Sequence, residues 1–133
     1  MGDRAELLSE FPGGAATEAV ARHAGTHLLV DFWDAHHLDD LARADSALRA
    51  AATAARATLL HLHLHRFTST GGMSGVAVLA ESHISIHTWP ERGYAALDIF
   101  MCGNCDPLAA VTVLEEAFAP ARSDVKTQLR GIP

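Results

Sequence analysis

The sequence lacks any long apolar stretch and any recognisable export signal. None of its apolar runs approaches the roughly 20 residues that a membrane-spanning helix needs, so we expect no membrane anchor. The first residues, MGDRAELLSEF, have neither the basic start nor the apolar core of a secretory signal. We therefore expect a cytoplasmic protein with no membrane partner.

Basic residues are scarce as well. The 133-residue chain has 10 Lys and Arg against 16 Asp and Glu, a formal net charge of −6. Because nucleic-acid-binding proteins draw much of their affinity from Lys and Arg on phosphates, we expect no nucleic-acid partner. The acidic balance is compatible with a small cationic ligand. The length is that of one domain with little surplus core, which leaves room for stabilisation by a second subunit.

Only two cysteines occur, and they form a C-x-x-C motif at Cys102 and Cys105. Such a pair is typical of a redox site or of half a zinc site. No second C-x-x-C exists, and the intervening Gly103 and Asn104 favour a turn over the helix start that a thioredoxin-like motif needs. We therefore interpret the pair as two free thiols.

The chain divides into a loosely ordered leader, residues 1–24, and one domain, residues 25–133. Periodicity and turn signals predict the domain's elements in this order: a strand over 26–33, a helix over 38–56, a strand over 58–67, one extended segment over 75–89, a strand over 94–102, a helix over 106–119 and a strand in the tail. Short turns between consecutive strands favour antiparallel pairing. The predicted fold is an α/β domain of the α+β two-layer sandwich kind, an antiparallel sheet with two helices on one face.

The segment TLLHLHLHRF alternates leucines with histidines. Leu60, Leu62 and Leu64 fall on one face of the predicted strand, and three histidines fall on the other, namely His61, His63 and His65. Alternate histidines can bind zinc or nickel. On a straight strand they lie about 6–7 Å apart, too far for one metal ion. We expect no metal and a polar or interface face here, with a His-rich metal-binding module as an alternative function.

The segment LAESHISIHTW places Ser82 between Glu81 and His83, with a second histidine at His87. A hydrolase serine would stand in a G-x-S-x-G turn before a helix, and Ser82 has neither the glycines nor the helix. The chemistry open to a serine in an extended segment is attack on its own preceding carbonyl. The resulting ester can break by loss of the Ser82 α-proton, and hydrolysis then leaves a pyruvoyl group at a new N-terminus.

The run GMSGVAVLAESHISIHTWPERGYAALDIFMCG, residues 72–103, resembles the core of the prokaryotic S-adenosylmethionine decarboxylase proenzymes. That family's pattern is a Ser-Gly turn, an apolar strand, ESH-x-[ST]-IHTWPE-x-GYAA-x-D-x-F, then CG and an Asp-Pro. The likeness extends back to Gly25 and covers roughly residues 25–120. It implies a pyruvoyl cofactor formed from Ser82 after cleavage between Glu81 and Ser82.

The resemblance also implies roles for individual residues. His87 would remove the Ser82 α-proton, and Ser74 would hold the processing intermediate by hydrogen bonding. Cys102 would reprotonate the substrate carbon after carbon dioxide leaves. Glu91 would bind the ribose of the substrate and Phe67 would stack on its adenine. Taken alone, Ser74 is also a turn cap, Glu91 a solvated turn acid and Phe67 a core residue.

The physical chemistry agrees with this resemblance. Decarboxylation of an α-amino acid needs an electron sink, which a pyruvoyl carbonyl supplies as pyridoxal phosphate does elsewhere. The only lysine is Lys126, in the tail, so no residue is typical of a pyridoxal site. The expected function is decarboxylation of S-adenosylmethionine for spermidine synthesis, by a homodimer of processed units packed sheet to sheet. The processed chains would be β, residues 1–81, and α, residues 82–133.

Departures from the family pattern leave the substrate open. The usual G-[RK]-H start reads Gly25-Thr26-His27, the approach to the Ser-Gly turn reads 68-TSTGG-72, and Cys105 is extra. Since these changes fall near the expected pocket and interface, a pyruvoyl-dependent arginine or ornithine decarboxylase on the same scaffold is the alternative.

Overall fold

We describe the fold from a computed structural model, over residues 23–133. The predicted leader, residues 1–24, lies almost entirely outside this range. Six strands are present: β1 Gly25–Trp33, β2 Leu59–Arg66, β3 Met73–Leu79, β4 Ser82–Trp89, β5 Tyr94–Met101 and β6 Arg122–Arg130. The helices are α1, Leu41–Ala54, and α2, Pro107–Phe118, and a 3₁₀ turn covers Pro90–Arg92. No helix among the described residues is long and apolar enough to cross a membrane.

The strands form one sheet in the order β2-β3-β4-β5-β1-β6, and every neighbouring pair is antiparallel. Both helices pack on the sheet and share its single apolar core. The predicted two-layer fold with two helices on one antiparallel sheet is confirmed.

Side-chain caps set where the helices begin. Asp40 accepts a hydrogen bond from the Arg43 backbone N–H, so α1 begins at Leu41, three residues later than predicted. Asp106 caps α2 in the same way through Ala109 N–H, and Pro107 occupies the first turn, as predicted.

The prediction of one extended segment over residues 75–89 is wrong. The chain reverses at Ala80–Glu81, and β3 pairs with β4 from Leu79 opposite Ser82 to Ser74 opposite His87. No glycine, proline or asparagine marks this turn. Glu81 instead adopts the left-handed backbone conformation that the turn requires, with a φ of 56°. The Glu81–Ser82 bond therefore lies at the end of a two-residue hairpin turn.

The two faces of the sheet differ in chemistry. One face packs under the helices, and its largest fully buried side chains include Phe32, Leu28, Ile84, Ile86 and Ile99. We call the other the open face. Its central members are His27, Asp31, Trp33, His83, Ser85, His87, Trp89, Tyr94, Asp98 and Phe100.

The β2 histidines lie on the open face, since His61, His63 and His65 pair with Val78, Val76 and Ser74. Leu62 and Leu64 pack against the core as predicted. Leu60 does not, because the register shifts between Leu59 and His61; Leu59 contacts the core and Leu60 is 63% exposed.

Candidate active site

Ser82, Cys102 and Glu81 meet where the β3–β4 hairpin reaches the end of β5. The Ser82 side chain is 8% exposed, and its Oγ accepts a hydrogen bond from the Cys102 backbone N–H at 3.4 Å. The Cys102 thiol lies 3.9 Å from that Oγ. It also donates to the Glu81 carbonyl oxygen at 3.3 Å. The thiol is therefore a donor to the carbonyl that Ser82 is predicted to attack.

The backbone at this point is strained. A non-glycine residue with positive φ, such as Glu81, costs on the order of 1–3 kcal/mol. Its carboxylate Oε2 lies 3.7 Å from the Cys102 sulfur, so the side chain is directed back toward the same cluster. The strained residue directly precedes the predicted cleavage bond.

Ser74 and His87 form a second pair. They are cross-strand partners on β3 and β4, and the Ser74 Oγ lies 3.0 Å from His87 Nδ1. His87 is exposed on the open face. The hydrogen bond fixes the imidazole orientation and leaves Nε2 directed away from Ser74.

These two pairs lie at opposite ends of β4. Ser82 begins the strand under the helices, whereas His87 is five residues further along on the open face. At a rise of about 3.3 Å per residue, roughly 16 Å of strand separates them. A single chain therefore does not bring His87 to Ser82.

The two predicted substrate-binding residues lie near the Ser74–His87 end. Phe67 directly follows β2, is exposed, and packs its ring 4.7 Å from that of His65. Glu91 is exposed in the 3₁₀ turn after β4. Trp89 stacks on Tyr94 at 5.3 Å beside this turn. Four predicted residues thus share one end of the sheet: Phe67, Ser74, His87 and Glu91.

Asp98 organises a hydrogen-bonded cluster at the centre of the open face. Its Oδ2 lies 2.6 Å from His27 Nε2 and 3.0 Å from His83 Nε2, and the Ser85 hydroxyl donates to its Oδ1. Burial raises the pKa of Asp98, but the hydrogen bonds from Ser85, His83 and His27 outweigh it and leave the pKa below its ordinary value of 3.8. The carboxylate is therefore ionised at neutral pH.

His27, His83 and Asp98 also have the residue types of a metal site, with their ligand atoms within 4.8 Å of one another. However, the Arg130 guanidinium lies 3.2 Å from His27 Nδ1. Because arginine only donates, Nδ1 must accept and the proton of a neutral His27 must sit on Nε2. That nitrogen then donates to Asp98 and has no lone pair for a metal ion.

Comparison with known proteins identifies the family. The sequence model described as "S-adenosylmethionine decarboxylase" matches residues 26–131. The chain belongs to the S-adenosylmethionine decarboxylase family. It is 45% identical over 109 residues to the S-adenosylmethionine decarboxylase proenzyme of Thermomicrobium roseum, covering 81% of this chain and 94% of that protein. A proenzyme of the same name from Methanococcus aeolicus is 45% identical over 113 residues, covering 83% and 96%.

A solved structure agrees with this assignment to the S-adenosylmethionine decarboxylase family. The crystal structure of the adenosylmethionine decarboxylase from Aquifex aeolicus matches with a TM-score of 0.73 and 31% identity. The match covers 84% of this chain and 93% of that one. The resemblance predicted from the ESH and IHTWPE motifs is confirmed.

Sequence reasoning placed some residues of this decarboxylase-family domain and missed others. It singled out Ser82, Cys102, Ser74 and His87, of which the structure joins the first two and, separately, the last two. It gave no role to Asp98, although this residue falls within the quoted GYAALDIF motif. The alternation of β5 placed Asp98 on one face, but nothing in the sequence indicated that residues from β1 and β4 converge on it.

Proposed function

We propose that this chain decarboxylates S-adenosylmethionine to S-adenosylmethioninamine and carbon dioxide, using a pyruvoyl group formed from Ser82. Family membership over residues 26–131 supports the reaction. The observation that carries the proposal is the meeting of the Ser82 hydroxyl, the Cys102 thiol and the Glu81 carbonyl at the hairpin turn. The proenzyme names of the relatives agree with a chain that is processed.

Self-cleavage begins with attack of Ser82 Oγ on the Glu81 carbonyl carbon. The carbon–nitrogen bond breaks, an ester forms, and the nitrogen of residue 82 becomes a free amine. The Cys102 thiol, 3.3 Å from the Glu81 oxygen, would stabilise the negative charge that develops there. The backbone strain at Glu81 would raise the free energy of the uncut chain and so lower the barrier to this step.

Loss of the Ser82 α-proton then breaks the ester bond. The main-chain α-carboxylate of Glu81 leaves, and residue 82 becomes a dehydroalanine. Its tautomer takes up one water and releases one ammonia, which leaves a ketone at the start of residues 82–133. The base for this proton is proposed to be His87, held by Ser74. Residues 1–81 are the other product.

A second copy of the chain would bring His87 to Ser82. The open face carries His87 and the aromatic residues Trp33, Trp89 and Tyr94, exposed or only partly covered in one chain. Two open faces packed with antiparallel strands would place the Ser74–His87 end of one chain over the Ser82–Cys102 end of the other. We therefore propose a homodimer of processed units with shared sites.

In the finished enzyme the chain's own residues bind the substrate and move one proton. The pyruvoyl carbonyl supplies an electron sink for the charge left when carbon dioxide departs. Phe67 would stack on the adenine and Glu91 would accept hydrogen bonds from the ribose hydroxyls, both being exposed at the Ser74–His87 end. Cys102 would donate its thiol proton to the substrate carbon, because its sulfur lies beside residue 82.

The proposed setting is a cytoplasmic enzyme whose product donates aminopropyl groups to spermidine synthesis. The domain would comprise residues 25–133. After cleavage it would be divided between the β chain, residues 1–81, and the α chain, residues 82–133.

Intact-mass measurement of the purified protein tests the proposal directly. We expect one fragment that ends at Glu81 and one that starts at residue 82. Their summed mass should equal the mass of the uncut chain plus one water minus one ammonia. Ser82→Ala should remain uncut. The cleaved protein should release labelled carbon dioxide from S-adenosylmethionine, with arginine and ornithine assayed in parallel. An uncut wild-type chain excludes the mechanism, and release from arginine or ornithine alone excludes the substrate.

A further inference from the structure

Cleavage would leave Ser82 at the loose end of a strand. In the uncut chain the turn at Ala80–Glu81 ties the start of β4 to β3. Once the Glu81–Ser82 bond is broken, residue 82 becomes a chain terminus, and strand termini fray unless other contacts hold them. The residue that must be placed most accurately would then be the residue with the least covalent restraint. A role in holding this terminus therefore rests on the proposed function, because the terminus exists only if the bond is cut.

Two side chains just after the cut converge on one carboxylate. His83 is one residue from the new terminus and its Nε2 lies 3.0 Å from Asp98 Oδ2. Ser85, two residues further on the same face, donates to Asp98 Oδ1. Asp98 stands on the adjacent strand β5, directly opposite Ser85. The first two open-face side chains of β4 are thus fastened to the same group.

Asp98 is itself held from two more strands. His27 of β1 donates to its Oδ2 at 2.6 Å, and Arg130 of β6 fixes the tautomer of His27 by donating to Nδ1 at 3.2 Å. The His27 and Asp98 side chains are only 18% and 23% exposed. Hydrogen bonds to an ionised acceptor are stronger than those between neutral groups. The partial burial of His27 and Asp98 also limits the screening of this interaction by solvent.

We propose that Asp98 is a positioning residue for the decarboxylation reaction: through His83 and Ser85 it holds the freed start of β4, and with it the pyruvoyl group at residue 82. The role is distinct from that of Cys102, which contacts residue 82 itself. Asp98 acts only through other side chains and is expected to affect the turnover of bound substrate more than its binding.

The test compares Asp98→Asn with wild type after both have been cleaved. An asparagine keeps the shape but presents an N–H group to one of the donors and removes the charge. We expect normal cleavage, an increase of about tenfold in amide hydrogen exchange over residues 83–86, and a fall of about tenfold or more in kcat with KM nearly unchanged. The exchange measurement needs no substrate.

Asp45→Asn is the matched control. Asp45 is a carboxylate on helix α1, on the other side of the sheet from the open face, and its Oδ1 accepts a hydrogen bond from Arg49 Nε at 2.7 Å. It should change neither exchange over residues 83–86 nor kcat. If Asp98→Asn fails to fold, His83→Ala tests the same connection, because Asp98 then keeps its bonds to Ser85 and His27.

The outcomes separate the two proposals. An uncut wild-type chain overturns the proposed function and this inference with it. A cut, active wild type whose Asp98→Asn or His83→Ala form matches it in exchange and kcat overturns this inference alone. A change in KM without a change in kcat or exchange would also contradict it, since that result would place Asp98 in substrate binding.

Discussion

The thiol of Cys102 donates to the carbonyl oxygen of Glu81 at 3.3 Å while its backbone N–H donates to the hydroxyl of Ser82. One residue therefore contacts both sides of the bond that is proposed to break. We expect Cys102→Ala to be cleaved more slowly and, once cleaved, to decarboxylate about 10²–10⁴-fold more slowly, the range for loss of a general acid. Time courses of fragment formation and labelled carbon dioxide release measure the two effects separately.

Cys105→Ser is the control for that substitution. Cys105 lies three residues away in the same turn, with its sulfur 3.7 Å from the Arg56 carbonyl oxygen rather than beside Ser82. Cleavage and turnover should be unchanged. Equal losses in both variants would contradict the assigned role of Cys102 and indicate a general disturbance of the turn.

The positive φ of Glu81 predicts a measurable stability effect. In the uncleavable Ser82→Ala background, Glu81→Gly should raise the free energy of unfolding by about 1 kcal/mol, because glycine adopts this conformation without a Cβ clash. Urea denaturation measures the difference. Ala80→Gly is the control, since Ala80 lacks a positive φ and its replacement should only destabilise the hairpin. Equal effects of the two glycines would argue against strain at residue 81.

Sharing of the site between two chains can be tested by producing two differently inactivated variants together. Ser82→Ala lacks the proposed nucleophile and His87→Ala lacks the proposed base, so each should stay uncut when produced alone. Co-production with different tags should yield cleavage of the His87→Ala chain, which keeps Ser82 and receives His87 from its partner. If the His87→Ala chain stays uncut in the mixed sample, or is cleaved alone at the wild-type rate, the shared site is wrong.

Asp98 predicts a loss of stability in acid. Its pKa is lower in the folded protein than the ordinary 3.8, so its contribution is present above that pH and is lost as the pH falls through the lower folded value. In the Ser82→Ala background, the stability difference from Asp98→Asn should therefore be constant near neutral pH and shrink below pH 3.8. Denaturation midpoints at several pH values measure it. A difference independent of pH would show that the charge contributes nothing.

Tyr94 makes the opposite prediction in base. Its hydroxyl donates to Asp31 at 2.5 Å, and this hydrogen bond, with burial and the Asp31 charge, raises the pKa of Tyr94 to about 12. The stabilisation is fully present below pH 10 and is lost as the pH rises toward 12. The advantage of Ser82→Ala over its Tyr94→Phe derivative should disappear over that interval. Spectrophotometric titration of the single tyrosine provides an independent check.

The parts of the fold that sequence predicted well are those set by local rules. Asp106 and Pro107 marked the start of α2, and the alternation of TLLHLHLHRF placed its histidines away from the core. The β3–β4 turn was missed because Glu81 gives no turn signal and the segments on both sides of it are rich in strand-forming residues, although the buried positions change from odd-numbered in β3 to even-numbered in β4. The register shift that exposes Leu60 depends on pairing with β3, which local alternation does not encode.

For the candidate site, the family motifs named the candidate reactive residues but not their spacing in three dimensions. Ser82 and His87 are five residues apart in sequence, yet a strand directs them to opposite faces and separates them along its length. The Asp98 cluster contains residues from β1, β4, β5 and β6. It therefore depends on a sheet in which β1 lies between β5 and β6, although these strands are far apart in sequence. Such relationships arise from topology, which periodicity does not determine.

The strand order has a consequence for the fate of the two proposed cleavage products. Residues 1–81 contain β1, β2 and β3, and residues 82–133 contain β4, β5 and β6. Because β1 is inserted between β5 and β6, the pieces are interleaved across three ladders, β3/β4, β5/β1 and β1/β6. The proposed cut falls in a turn and would break none of these ladders. The halves would thus remain one interlocked body that comes apart only on unfolding.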